Sequence, residues 1–364
     1  IRWISFYKMQ QINLHIKNGF FIIEEEMNTA DSINFLSKTS VRKIANAGLI
    51  LSSYYLSKLL KKPIQWGLPI TISIEPTTQC NLECPECPSG VKFFTRPTGY
   101  IGIDLFRQLL DQTHAHLQYM YFYFQGEPYL HPQFFELVNA AAQRNIYTVT
   151  STNAHFLGKR KAEETVKSGL DRIIISIDGT TQETYSKYRI GGSLEKVLEG
   201  TKNLVEAKKI LQSKTPHIVF QFIVMRHNEH QMGEAKQLAK SIGVDELKFK
   251  TVQVYDFEHN ADLVPLNETF SRYEINSANP SIKNKLLNHC WKLWHSCVMT
   301  WDGKIVPCCF DKDASHQLGD INEKHFSAIW QSEAYRHFRA KIIRSRSSID
   351  ICTNCSEGTT VWVE

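Results

Sequence analysis

No apolar run in this chain approaches the ~18 residues that a membrane-spanning helix needs, so no transmembrane segment is expected. Neither sign of charge dominates: 42 Lys and Arg against 37 Asp and Glu leave +5. So small an excess does not by itself indicate a nucleic-acid binder, and no nucleic-acid partner is expected. Solenoid repeats and low-complexity tracts are missing. A 42% hydrophobic and 22% charged composition excludes wholesale disorder. No secretory signal is expected in residues 1–26 either, because Lys8, His15 and Lys17 interrupt any apolar core there. What the chain does have is cysteine, nine of them. An odd number without a secretory signal argues against a disulfide framework. It fits a reducing cytoplasm, where clustered thiols bind metal or do chemistry.

Residues 1–26 show no helical or strand period and end in Glu24-Glu25-Glu26, directly before Met27. We read them as a non-native or flexible extension ahead of a start at Met27. Residues 27–68 form a helical segment. Within it, 41–61 places Ile44, Leu49, Leu51, Tyr55, Leu59 and Leu60 on a broad apolar side. With few basic residues, packing on the next domain is favoured over a membrane surface.

From residue 69 to 255 apolar strands alternate with amphipathic helices. The strands are expected near 70–74, 119–124, 146–150, 172–177, 217–225 and 246–252. Asp104 is read as a helix cap, and a single helix is expected at 323–345. Six strands with helices between them predict right-handed βαβ units and a parallel sheet. That is too few for a closed eight-stranded barrel. An open partial barrel and a flat doubly wound sheet both satisfy the pattern. In either, ligands sit beyond the carboxyl ends of the strands. The unusual residues fall there: Cys80, Cys84 and Cys87; Gly126-Glu127-Pro128; Ser151 and Asn153; Ser176 and Asp178; Arg189; and Asn228.

Residues 80–88 read CNLECPECP, a C-x3-C-x2-C spacing kept out of regular helix by Pro85 and Pro88. Three thiolates on so short a loop can hold three irons of a [4Fe–4S] cube and leave the fourth open. A closed zinc site would need a distant fourth ligand.

This cluster, together with the strand-end motifs, resembles the radical S-adenosylmethionine (SAM) enzymes over roughly residues 68–255. The resemblance implies an α/β fold, a partial (β/α)6 barrel. It also implies a [4Fe–4S] cluster on Cys80, Cys84 and Cys87 whose open iron chelates SAM. Gly126, Glu127 and Pro128 match the motif that binds the SAM amino group. Ser151 and Asn153 stand where relatives contact the carboxylate or ribose, and Ser176 and Asp178 match a ribose-contacting strand end. Arg189 matches an arginine that pairs with the SAM carboxylate, and Asn228 falls on the adenine side. One departure stands out: many relatives carry an aromatic just before the third cysteine, where this chain has Glu86.

Six more cysteines follow residue 289: Cys290, Cys297, Cys308, Cys309, Cys352 and Cys355. Asp302-Gly303 reads as a two-residue hairpin turn. Counting outward then pairs Cys297 with Cys308, and Cys352-x2-Cys355 completes four thiolates. Zinc and an iron–sulfur cluster both accept such a set. Hairpin, helix and terminal C-x2-C resemble the SPASM domain of radical SAM proteins. That implies an auxiliary [4Fe–4S] cluster in a small hairpin-plus-helix domain at 290–364, joined to the barrel by a linker at 256–289. Its expected ligands are Cys297, Cys308, Cys352 and Cys355, with Cys290 and Cys309 spare.

The resulting expectation is an enzyme that cleaves SAM reductively and abstracts hydrogen from a substrate, with the auxiliary cluster relaying electrons. The resemblance implies an electron donor such as flavodoxin or ferredoxin. The expected substrate is a small molecule, carbohydrate or peptide; the helical look of 27–68 leans away from a self-contained peptide-leader module and toward a carbohydrate or small metabolite. The alternative is a non-enzymatic zinc- or iron–sulfur-stapled binding or electron-transfer protein. The start at Met27 is checked by mass spectrometry of natively expressed protein, where an N-terminal peptide from within 1–26 would overturn it.

Overall fold

The computed structural model describes residues 15–17, 20–22, 29–274 and 281–355. Met27, the expected start, and the last residues of the 290–364 domain lie outside them. Strands β1 (His15–Lys17) and β2 (Phe20–Ile22) form an antiparallel pair that no period in 1–26 announces. Helices α1 (Thr29–Ser37) and α2 (Val41–Leu60) follow, the second capped by the Ser40 hydroxyl, which accepts from Lys43 N at 3.3 Å.

The barrel then runs in chain order: β3 (Thr71–Ile74), α3 (Ile103–Thr113), β4 (Tyr119–Tyr121), α4 (Phe134–Ala142), β5 (Tyr147–Thr152), α5 (Lys159–Lys167), β6 (Arg172–Ser176), α6 (Gln182–Ser186), α7 (Leu194–Ile210), β7 (His217–Val224), α8 (Met232–Ile242) and β8 (Glu246–Thr251). All six strands are parallel and neighbours in sequence order. β8 does not close on β3, so the barrel is partial, as expected. Helix α3 is capped by Gly102 and not by Asp104, which sits in its first turn and favours the positive end of the helix dipole. Gly169 (φ +81°) ends the turn after α5 at a conformation costly for other residues.

Strand alternation sorts the side chains. Ile72, Ile74, Met120, Ile173, Ile175, Ile218 and Phe220 turn outward and pack beneath the helices. Tyr119, Tyr147 and Val149 line the inner face, with Tyr121, Tyr123 and Ile174 packed against them. Helix α1 closes the floor of this barrel. Asp31 accepts from the Tyr147 phenol and pairs with the Arg172 guanidinium, both buried. Phe35 sets its ring edge on Tyr147 with centroids 5.4 Å apart.

After α9 (Phe257–Asn260), α10 (Lys292–His295) leads into β9 (Ser296–Met299), β10 (Lys304–Val306) and β11 (Gly319–Asp320). β9 pairs in parallel with β3, Ile72 opposite Cys297, so the C-terminal hairpin extends the barrel sheet to nine strands. The single helix expected at 323–345 is two, α11 (Phe326–Trp330) and α12 (Glu333–Ser345). They are separated where Ser332 caps the second, and α13 (Asp350–Thr353) ends the described chain. Among the described residues no helix is long and apolar enough to cross a membrane. Asp31→Ala leaves Arg172 without its floor carboxylate and is expected to cost about 3 kcal/mol, read as a lowered urea midpoint.

Candidate active site: two cysteine centres on one sheet

The loop after β3 holds Cys80, Cys84 and Cys87, all free thiols. Leu82 N donates to Cys80 Sγ at 3.5 Å, and Cys87 N donates to Cys84 O at 3.2 Å. Burial pushes the Cys80 thiol up to about 11, and the nearby Glu127, Cys87 and Cys84 add to it. Burial raises Cys84 as well, while the Arg189 cation opposes. Bound iron would stabilise the thiolates that burial disfavours.

The loop after β4 lies directly on this cysteine loop. Gly126 has φ +74°, and an added Cβ would stand 2.3 Å from Thr77 O. Only glycine fits there. Gly126 N donates to Ser89 Oγ at 2.8 Å, and Glu127 N donates to Gln79 O at 2.7 Å. The two loops are thereby stitched on both sides of the thiols. Pro128 opens a buried 3-10 turn behind them.

Glu127 is enclosed, and burial raises its carboxyl despite three donors. Tyr129 N (3.1 Å) and the Thr152 hydroxyl (2.7 Å) reach Oε1, and Asn153 N (2.8 Å) reaches Oε2. The carboxylate therefore joins the ends of β4 and β5. The Asn153 side chain donates to Asn81 Oδ1 at 2.8 Å and lies 4.0 Å from Cys80 Sγ. Ser151 is opposite Ile174 and Ser176 opposite Gln221 in the sheet ladder.

Across the barrel mouth, Asp178 Oδ1 accepts from Ile223 N at 2.6 Å and Oδ2 from Arg189 Nε at 2.5 Å. Arg189 Nη1 lies 3.7 Å from Cys84 Sγ. Burial opposes its charge, but Asp178 and Cys84 outweigh burial and hold the guanidinium charged. Gly126, Glu127, Asn153 and the Asp178–Arg189 pair thus converge on the cysteine loop. Asn228 does not present its amide to that space. It donates to Asp178 O and Ile223 O and accepts from Met225 N, which makes it a brace for the β7 end.

Glu86 turns aside to accept from Tyr255 N at 2.7 Å. Lys312 sits 4.1 Å above the Tyr255 ring and donates to Glu86 O at 3.5 Å. Neither Tyr255 nor Lys312 carries a local sequence signal. Both lie far from Glu86 in sequence.

The second cysteine set departs from expectation. The hairpin turn has three residues and not two: Thr300 N donates to Lys304 O, and Gly303 takes φ +94°. The register pairs Met299 with Ile305 and Val298 with Val306. Continuing it sets Cys297 opposite Pro307, so Cys297 and Cys308 fall on opposite faces. Cys297 is buried in the main core, and burial pushes its thiol up to about 12, with the Tyr335 hydroxyl and the Arg339 guanidinium beside it. Cys308 is instead raised by burial with Cys309, Cys355 and Cys290 as its charged neighbours. Cys290 enters the group that Cys297 was expected to fill.

Arg346, 3% exposed, donates to Cys355 Sγ at 3.2 Å and to His289 O at 3.2 Å. Burial pulls its pKa down, but Cys290, Cys355 and Cys352 outweigh that and raise it. Burial also lifts Cys352 to about 11. Among the described residues, no three His, Cys, Asp or Glu side chains close to single-ion spacing.

Comparison with known proteins agrees with this geometry. The radical SAM superfamily profile matches residues 74–239, and SPASM, an iron-sulfur cluster-binding domain, matches 290–356. A tungsten-containing aldehyde ferredoxin oxidoreductase cofactor-modifying protein of Pyrococcus furiosus is 28% identical over 78% of this chain and 86% of its own. A PqqA peptide cyclase of Bradyrhizobium diazoefficiens is 24% identical over 75% and 76%. The structure of Streptococcus suis SuiB bound to S-adenosylmethionine superposes with a TM-score of 0.58 at 15% identity. That match covers 94% of this chain and 90% of SuiB. The chain belongs to the radical SAM superfamily and carries a SPASM domain. It is accordingly an enzyme that uses [4Fe–4S] clusters and SAM.

Gly126→Ala drives a methyl group into the Thr77 carbonyl. It is expected to lower the iron bound after reconstitution and to destabilise the fold by about 2 kcal/mol or more, read by iron assay and urea unfolding.

Proposed function

We propose that the enzyme generates a radical at the barrel mouth and abstracts hydrogen from a substrate held in the lumen, while the auxiliary centre relays an electron. Bound by Cys80, Cys84 and Cys87, a [4Fe–4S] cluster would supply the one electron that breaks the C5′–S bond of the SAM sulfonium, with methionine leaving and the 5′-deoxyadenosyl fragment carrying the radical. The chain's own part is to hold the thiols, orient SAM and exclude water. Cys80, Cys84 and Cys87 are the proposed iron ligands. Gly126, Glu127 and Pro128 form the amino-group seat, the Glu127 carboxylate being fixed from three sides. Ser151, Asn153, Ser176, Asp178 and Arg189 complete the cradle, with Arg189 the partner for the SAM carboxylate.

The auxiliary ligands are Cys290, Cys308, Cys352 and Cys355, with Arg346 offsetting their negative charge. A fully thiolate-ligated centre has no open iron, which suits electron relay and not substrate binding. A low-potential carrier such as flavodoxin or ferredoxin is the electron source, and the cytoplasm is the compartment. The observation that carries this reading is the convergence of Glu127, Asn153 and Arg189 on the loop of three thiols. The zinc-stapled alternative leaves that convergence without a role.

Anaerobic reconstitution should load about eight irons, as two cubes hold, and SAM with a strong reductant should release 5′-deoxyadenosine. Cys87→Ala should lose about half of the iron and all of that release. Zinc in place of iron would overturn the reading. Cys290→Ser should lose the auxiliary cluster's electron paramagnetic resonance signal while Cys297→Ser keeps it. The opposite result would restore Cys297 as the ligand.

A further inference from the structure

Helix α2 was expected to pack its apolar side inward, and it does the reverse. Its buried face carries Ala47, Ile50 and Tyr54 together with Lys43, Asn46, Ser53 and Ser57. The polar groups on that face are satisfied internally. Lys43 Nζ donates to Lys38 O and Asn145 O, Asn46 Nδ2 donates to Leu68 O, and Ser57 Oγ bonds across to Ile64. The side left to solvent is apolar: Val41 is 83% exposed, Leu49 48%, Tyr55 52% and Leu59 77%, with Ile44 beside them. At ~100° per residue these share one side of the helix. The stripe runs nearly the whole 20-residue length, about 30 Å at ~1.5 Å per residue. Between the large side chains stand only Ala45, Gly48 and Ser52, all exposed.

The charge around this stripe has one sign. Residues 32–74 contain no Asp or Glu, and the basic side chains beside the stripe are Arg42, Lys58, Lys61 and Lys62; Lys43 is buried on the opposite face, and Lys38 is paired with Asp171. Lys61 and Lys62 are exposed at the C-terminal end of α2, and Lys58 lies over the Tyr54 and Tyr55 rings. Trp66 is 49% exposed just beyond. Aliphatic side chains in a line, flanked by Tyr, Trp and lysines with no carboxylate among them, meet the two demands of an anionic lipid surface. Those are apolar area to bury below the headgroups and positive charge at their level. A protein partner would be selected by directional polar groups within the patch, and the stripe offers one serine.

We propose that the outward face of α2 seats this enzyme peripherally on an anionic bilayer, lying in the interface without crossing it. The inference stands apart from the radical chemistry and from the identity of the substrate.

The test is co-sedimentation of the anaerobically reconstituted protein with vesicles, either phosphatidylcholine mixed with phosphatidylglycerol or phosphatidylcholine alone. Binding is expected to the anionic vesicles, weakening as salt is raised. Replacing Lys58, Lys61 and Lys62 together by Gln should weaken it about a hundredfold, since each lysine is worth roughly fivefold near such a surface. Leu49→Gln with Leu59→Gln should weaken it by about the same factor, while iron content and circular dichroism stay at wild-type values. Failure to bind anionic vesicles, or binding unchanged in both variants, would overturn the proposal. So would a dimer seen by light scattering and abolished by the leucine changes, because a second copy would then cover the face. Cys84→Ala protein, inactive under the radical reading, should bind vesicles like wild type. That arm separates failure of this proposal from failure of the proposed chemistry.

Discussion

The parallel pairing of β3 with β9 is the contact on which the rest of the molecule depends. β3 runs directly into the loop of Cys80, Cys84 and Cys87, and β9 begins the hairpin that leads to Cys308. Because the two strands share one ladder, both cysteine centres are anchored to a single sheet and not joined by a linker. The interface around that ladder is core, with Trp294, Trp330 and Met299 buried in the same cluster as Ile72 and Ile74.

Around this frame, the buried charges are held in pairs that also join elements. Glu75 and Arg96 form a two-pronged pair, 2.6 and 2.8 Å, and Trp301 N of the C-terminal hairpin also reaches Glu75 at 3.3 Å. Asp178 with Arg189 links the ends of β6 and β7 to the cysteine loop. Asp31 with Arg172 ties α1 to the barrel floor. Ion pairs in such places add less to stability than their Coulomb attraction suggests, since desolvation opposes them, but losing one partner is costly. Their effect is to leave each joint one acceptable geometry.

Much of the barrel was legible in the chain. Period-two alternation in Ile70, Ile72 and Ile74, helix stops such as Gly169, and unusual residues at successive strand ends specify βα units and the face on which chemistry gathers. These are local signals, set by backbone geometry and by which side of an element is apolar. The C-terminal cysteines were not legible in the same way. Asp302-Gly303 suggested a two-residue turn, but Gly303 serves as the left-handed third residue of a longer one. That single added residue moves Cys297 to the opposite face. Helix α2 misled for a related reason. Lys43 reaches Asn145 and Asn46 reaches Leu68, partners that lie outside the helix and leave no local signal, so the more polar side is the buried one.

By itself, then, the sequence determined the parallel α/β architecture, the three-thiol loop and the motifs that would surround it. Each follows from spacing along a strand, helix or short loop. On which face of the hairpin Cys297 lies, where Glu86 and Asn228 direct their side chains, and which side of α2 meets solvent were decided by tertiary structure alone. Those outcomes turn on strand register and on hydrogen-bond partners many residues away, and no local pattern encodes either.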